Sequence, residues 1–213
     1  LQPRTDVQFL LRFLRARKFD QERTFQLVKN YYDIRLQFPD IFSDLKPSRV
    51  RHVFDDGIIE VLKQCDNGGC RVIIFRPEAW DPERYPLIDL LKAIYVLLAK
   101  VAEEEAIQVN GVHLISYLSS LTLKQVTQLT PSLAKFFIST IQDVLPMRLK
   151  RYDIVNEPAL FDVVWAILKQ FMKEKLLGRI FLNGDKLDKL HATIQTEFLP
   201  TDLGGKLPKY SNK

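Results

Sequence analysis

The residues best suited by type to do chemistry fall in two short stretches. In "CDNGGCR", Cys65 and Arg71 are separated by five residues, the spacing at which a cysteine phosphatase sets a thiolate and a guanidinium around phosphate. That chemistry needs a loop whose backbone N–H groups meet the phosphate at a helix N-terminus, where the thiol pKa also falls. Here the loop joins two strand-like runs, "GIIEVLKQ" and "RVIIFRP", and Val72 already begins the second, so the context opposes the phosphatase reading. Cys65 and Cys70 could instead face each other across a hairpin, although a cytosolic chain keeps such a pair reduced, and they lack zinc-site spacing. In the second stretch, "PMRLKRYDIVNEPALF", Arg148, Lys150 and Arg151 fall within four residues, just ahead of a short apolar run and a very apolar helix.

Other catalytic patterns are absent from the sequence. There is no G-x-S-x-G, no P-loop, no G-x-G-x-x-G and no H-E-x-x-H. His52, His113 and His191 lie far apart along the chain. His113, inside a strand, reads as a hydrogen-bonded core or cavity-wall residue, and Glu103, Glu104 and Glu105 as the solvated end of a helix. The chain is therefore expected to be no enzyme, with no cofactor and no bound metal. The 31 Lys and Arg against 26 Asp and Glu, a net +5 over 213 residues, suit an anionic surface only if the charge is clustered. No segment has the length of a bilayer-spanning helix, and no signal-type apolar run opens the chain, which reads as cytosolic and N-terminally trimmed.

The elements that must position these residues follow from periodicity. Val7, Leu10, Leu11 and Leu14 recur at helical spacing, and Asp20 reads as the N-cap of a second helix carrying Phe25, Val28, Tyr31 and Tyr32. Arg12, Arg15 and Arg17 read as the solvated face of the first helix. This helical unit, residues 1–47, precedes a second domain, residues 48–213. There a hairpin gives way to alternating patterns: a helix over 87–104, the strand "GVHLISYL", a helix over 132–144, the strand "YDIVN", a helix over 159–177 and the strand "RIFLNG". Such alternation predicts an α/β fold with βαβ crossovers and a mostly parallel sheet.

The helix "ALFDVVWAILKQFM" is apolar on nearly every side, broken only by Asp162, Lys169 and Gln170. A crossover helix normally keeps one wet face, so this one needs a partner on its outer face as well: an internal lipid-sized cavity on one side, a bilayer on the other, or full burial. Arg148 and Lys150 share a side of an extended segment, and Lys175 and Arg179 share a helical face at i,i+4 spacing. These two pairs flank the apolar helix. They are either ordinary solvated charges or the basic rim of a surface that meets anionic membrane.

"FLLRFLRARKFD", "VNGVHLI", "QDVLPMRLK", "VNEPALF" and "KEKLLGRIFLNGD" together resemble the CRAL-TRIO, or Sec14-like, family of lipid-transfer proteins, in the branch that holds tocopherol carriers, retinaldehyde carriers and the clavesins. The resemblance runs from the helical N-terminus to "LPTDLGG". It implies a CRAL-TRIO-N helical unit and a lipid-binding domain whose sheet floors an apolar cavity, closed by a mobile gate here spanning Pro158 to about Lys173. It further implies that Leu91, Ile94, Leu98, Val112, Ser116, Ile141, Leu145, Tyr152, Phe161, Val164 and Leu168 line the cavity. Arg148, Lys150, Lys175 and Arg179 would hold the headgroup of a bisphosphorylated inositol lipid. Tyr117 and Ser120 stand where the branch usually has Asp and Gly, and Leu91, Ile94 and Leu98 where a tocopherol carrier has an aromatic residue and two serines. The implied protein is a cytoplasmic carrier of one tocopherol-, retinoid- or carotenoid-like lipid, peripheral at endosomal or other phosphoinositide-bearing membranes, with no nucleic-acid partner. The rival reading is a phosphoinositide-reading adaptor with no cargo.

Overall fold

A computed structural model describes residues 3–209. Two N-capped helices open it. Asp6 accepts a hydrogen bond from the Phe9 N–H at the start of α1 (Val7–Ala16), and Asp20 accepts one from the Arg23 N–H at the start of α2 (Gln21–Gln37), each satisfying a donor the helix leaves open. The helices pack through Phe9, Phe13, Tyr31 and Leu27, with the Phe13 and Tyr31 rings edge-to-face at 5.3 Å. Between them the chain turns through Lys18 and Phe19, both with left-handed backbone (φ 56° and 63°). Short helices α3 (Pro39–Phe42) and α4 (Arg51–Asp55) lead into the sheet.

Five strands follow chain order across the sheet: β1 (Ile59–Cys65), β2 (Arg71–Phe75), β3 (Val112–Tyr117), β4 (Leu149–Val155) and β5 (Ile180–Leu182). The first pair is the expected antiparallel hairpin and all others are parallel. Sequential strand order with crossovers of one hand sends every crossover helix to the same face. Side-chain alternation then separates two cores. Ile73, Leu114 and Leu149 meet α5 (Leu87–Val101) and α8 (Pro131–Ser139), while Val72, Ile74, Ile115 and Val155 pack against Leu190 of α11 (Asp188–His191) and the C-terminal Ile194, Leu199 and Leu203. Buried Arg76 ties that C-terminal segment to the sheet through Asp202 at 2.7 Å and Glu60 at 2.8 Å.

Several boundaries depart from the sequence reading. Helix α5 ends at Val101, and the acidic run starts a separate α6 (Glu105–Asn110) rather than ending one long helix. The helix expected over 132–144 finishes as a wider π turn over 140–144, and β4 begins at Leu149 and so includes Lys150. A short α7 (Leu123–Thr127), closed by a Thr122–Gln125 capping box, was not apparent from apolar spacing. The single helix expected over 159–177 is two, α9 (Phe161–Lys169) and α10 (Glu174–Leu177), parted by a turn at Lys173 with extended backbone.

Candidate functional site

An apolar cavity of about 130 Å3 lies between the sheet and the helices. β3 and β4 floor it with Ser116, Tyr152 and Ile154, α5 walls it with Leu87, Leu90, Leu91 and Ile94, and α9 closes it. The closing residues Phe161, Val164, Trp165 and Leu168 recur at i, i+3, i+4 and i+7, one stripe of a helix. Asp162, Val163, Ala166 and Lys169 are exposed on the other side, Val163 to 49%. The near-uniform apolarity of this helix thus resolves into a cavity-lining stripe and an outer face that includes bare aliphatic surface. A second chamber of about 30 Å3 adjoins the first; Phe75, Ile94, Ser116, Phe137 and Tyr152 border both. Leu98 and Ile141 line this smaller chamber. No Lys, Arg, Asp or Glu lines either one among the described residues.

Val112 and Leu145, read from the resemblance as cavity residues, line neither chamber; both are buried in the core between sheet and helices. Val112 sits at the first position of β3, at the end of the sheet away from the cavity-floor residue Ser116, and Leu145 follows the π turn into a segment packed against that core. His113 faces away from the cavity. It is fully buried between Asp66 (3.1 Å) and Asp153 (2.7 Å), which also binds Arg151 and Asn183. Cys65 and Cys70 are both free, and burial, reinforced by Asp66, pushes the Cys70 thiol up to about 11. That is the opposite of an activated nucleophile at Cys70, and the loop after Cys65 joins β1 to β2 instead of opening a helix.

Beside the cavity opens a cleft of about 490 Å3 lined by eight cations: Arg17, Lys18, Arg23, Arg148, Lys150, Lys173, Lys175 and Arg179. Its one acidic lining residue among those described is Asp143. All four cations singled out in the sequence meet here. Lys150 is the extra residue of a β-bulge, since Val112 pairs with Leu149 and His113 with Arg151. Arg148 donates to the backbone carbonyls of Gln108 and Val109 at the end of α6, while its Nε is buried without a partner. Arg179 donates to the Leu149 carbonyl. Gly111 makes this packing possible: its φ is +91°, and a Cβ there would lie 2.3 Å from the Arg148 carbonyl oxygen and 2.9 Å from Lys150 Cγ. Burial pushes the Lys175 amine below its ordinary pKa, and the charges of Arg179, Arg23, Arg17 and Lys18 add to this. Arg17 is lowered by its own burial and by Arg23. Neighbouring cations thus disfavour the charged forms of Lys175 and Arg17, an effect that an anion in the cleft would offset.

Sequence reasoning placed Arg12, Arg15 and Arg17 on a solvated face, and the structure places none of them there. Arg12 lies over the Phe9 ring with its side chain 11% exposed, Arg15 donates to Gln108 of α6, and Arg17, with Lys18 and Arg23, belongs to the cleft. The overlooked signal was the α1–α2 turn, where a basic cluster precedes an N-cap Asp. Cleft and cavity are also joined through one segment. Gln142, on the π turn, donates to the Phe171 carbonyl at 2.9 Å and accepts from the Lys173 N–H at 3.2 Å, filling the backbone positions that the break between α9 and α10 leaves open. Lys173 reaches Asp143 at 2.6 Å, and Arg17 donates to the Gln142 carbonyl at 3.3 Å.

The fold that places an apolar chamber under α9 and a basic cleft beside the end of that helix has counterparts among known proteins. Residues 55–205 match the CRAL/TRIO domain and residues 1–30 the CRAL/TRIO N-terminal domain. The chain belongs to the CRAL-TRIO family. Relatives of this CRAL-TRIO protein include the human alpha-tocopherol transfer protein-like protein (Homo sapiens), 41% identical over 200 residues that make up 94% of this chain and 58% of that protein. Human clavesin-2 is 38% identical over 209 residues, 97% of this chain and 64% of its own. The chain thus spans about three fifths of the length of these relatives. The crystal structure of Sfh5 superposes with a TM-score of 0.62 over 96% of this chain and 72% of that one, at 15% identity, and shares the fold. The family binds hydrophobic lipids, and the branch expected from the motifs is the one these relatives occupy.

Proposed function

We propose that this CRAL-TRIO protein is a carrier that encloses one hydrophobic lipid, of tocopherol, retinoid or carotenoid type, and exchanges it at membranes bearing phosphoinositides. The observation that carries this reading is the shared segment: residues 141–143 hold the end of the lid and border the cation-lined cleft. In water the lid stays shut. Swinging it out exposes Phe161, Val164, Trp165 and Leu168, and at ~1.5 to 3 kcal/mol for each fully buried side chain the upper bound is about 6 to 12 kcal/mol. A bilayer removes that cost by receiving the same stripe, together with Val163 on the outer face. Meanwhile a phosphorylated headgroup pairs with the cations of the cleft and competes with Asp143 for Lys173. Both effects favour the open lid, and the equilibrium shifts by the difference in affinity between the two states. The protein would therefore act at the cytoplasmic surface of endosomal or other phosphoinositide-bearing membranes, binding peripherally.

The test is release of a bound fluorescent lipid from protein already saturated on vesicles, where recruitment can add nothing. Vesicles with a bisphosphorylated inositol lipid should release it faster than charge-matched phosphatidylserine vesicles, by about 5- to 150-fold for ordinary coupling energies. Equal rates would leave a basic patch that only brings the protein to the surface, and no binding of fluorescent lipid would leave an adaptor without cargo.

A further inference from the structure

The cavity is not uniformly apolar. Ser116 on β3 and Tyr152 on β4 are diagonal neighbours on one face of the sheet, since Ser116 lies opposite Ile154 in the register. Their hydroxyls are 2.8 Å apart. Ser116 is 3% exposed, and Tyr152 is half-buried with its free surface turned to the void. Burial raises the Tyr152 phenol above its ordinary pKa, so it keeps its proton. Two hydroxyls carry two protons. Their mutual hydrogen bond uses one, and neither oxygen has another hydrogen-bond partner among the described residues. Whichever of them donates, one O–H is left over. Gln125, also at the wall, makes no bond to the pair, because its carboxamide is held by the Pro77 and Trp80 carbonyls, to which it donates, and by the Thr122 N–H, from which it accepts.

The pair also stands at the place where the two chambers meet, because both chambers are bordered by Ser116 and Tyr152. We infer that the Ser116–Tyr152 pair is a polar anchor for the cargo, selecting a neutral lipid whose hydrogen-bond-accepting oxygen lies between a longer and a shorter apolar part. An ester or ketone is the fitting chemistry, with the longer part in the larger chamber. A carboxylate or phosphate head is disfavoured there, because no cation among the described residues lines either chamber to neutralise it. A pure hydrocarbon is disfavoured for the converse reason, since filling the junction would strip the remaining O–H of any partner.

This assignment rests on the carrier reading, and the experiment separates the two. Three pyrene-labelled chains of equal heavy-atom count are titrated by fluorescence: an alkyl ester with the ester inside the chain, an alkane and a free fatty acid. The parent protein should prefer the ester to the alkane by about 5- to 150-fold, the range expected when a buried donor is left unpaired, and should bind the acid more weakly than the ester. The single changes Ser116→Ala and Tyr152→Phe each leave one hydroxyl with its proton, so each should keep most of the preference. Only the double variant, close to the parent in shape and checked by an unchanged unfolding midpoint, should bind ester and alkane alike. An ester preference that is missing in the parent, or that survives in the double variant, overturns the anchor while leaving the carrier reading intact. Acid binding as tight as ester overturns the neutral-lipid assignment, and failure of all three probes to bind the parent overturns anchor and carrier together.

Discussion

Reversing Lys150 and Lys175 to Glu tests the basic cleft most directly. Arg148 is a poorer target because its guanidinium holds the last carbonyls of α6, so its loss would disturb the fold as well as the charge. Lys150 and Lys175 both line the cleft, and Lys175 is the cation whose pKa is lowered by its own burial and by four basic neighbours. At ~1 kcal/mol for each Lys or Arg near an anionic surface, the double reversal removes two attractions and adds two repulsions. The total is about 4 kcal/mol, close to a thousandfold in affinity at low salt. The loss should shrink as salt rises and the screening length falls to about 8 Å at physiological ionic strength. Co-sedimentation with vesicles carrying a bisphosphorylated inositol lipid measures it. The matched control is Lys124→Glu with Lys206→Glu, the same change in net charge at positions outside the cleft, where they pair with Glu83 and Glu197; it should stay within about fivefold of the parent, the long-range share of a patch-centred interaction. Equal losses in the two variants would mean that vesicles read only net charge, and the cleft argument would fail.

The lid gives a paired expectation: Val164→Asp or Leu168→Asp puts a carboxylate against the apolar chamber and should weaken a hydrophobic fluorescent probe at least about tenfold, whereas Val163→Asp on the exposed face should spare probe affinity and weaken vesicle docking; the same titration done with and without vesicles checks both. Gly111→Ala should lower the unfolding free energy by more than the ~1 to 3 kcal/mol of backbone strain alone, because its Cβ would meet the Arg148 carbonyl, and denaturant melts read this. Burial raises the Asp153 carboxyl, but hydrogen bonds from His113, Arg151 and Asn183 outweigh it and hold the pKa below the usual aspartate value. Its contribution is therefore present above the unfolded-state pKa near 3.9 and is lost as pH falls through the lower folded value. Asp153→Asn should cost about 3 to 5 kcal/mol at neutral pH by stranding buried charge and should flatten the loss of stability on acidification, as thermal melts from pH 6 to pH 3 would show.

What the sequence determined by itself was whatever depends on near neighbours. Asp6 and Asp20 cap helices because a short carboxylate reaches an N–H three residues on, and the hairpin and the parallel strands follow from β-type runs set between helical ones. The all-round apolarity of the helix over 161–168 could be read for the same reason, as could the shared side of 148 and 150, but the helical face read for 175 and 179 does not exist, because α10 ends at Leu177 and Arg179 lies in the turn before β5. The resemblance, rather than periodicity, marked which apolar residues border a cavity, and the tertiary structure withdrew Val112 and Leu145 from that set. Packing also decided where α9 ends, because Gln142, some thirty residues away, supplies the hydrogen bonds that let the chain leave the helix before Lys173. It brought Arg17, Lys18 and Arg23 from the N-terminal helices to cations more than a hundred residues later, and it paired Ser116 with Tyr152 across two strands. Helical and strand periods report which side of an element a residue occupies. Which partner waits on that side is set by the register of the sheet and by how helices distant in sequence pack together, and no local pattern encodes either.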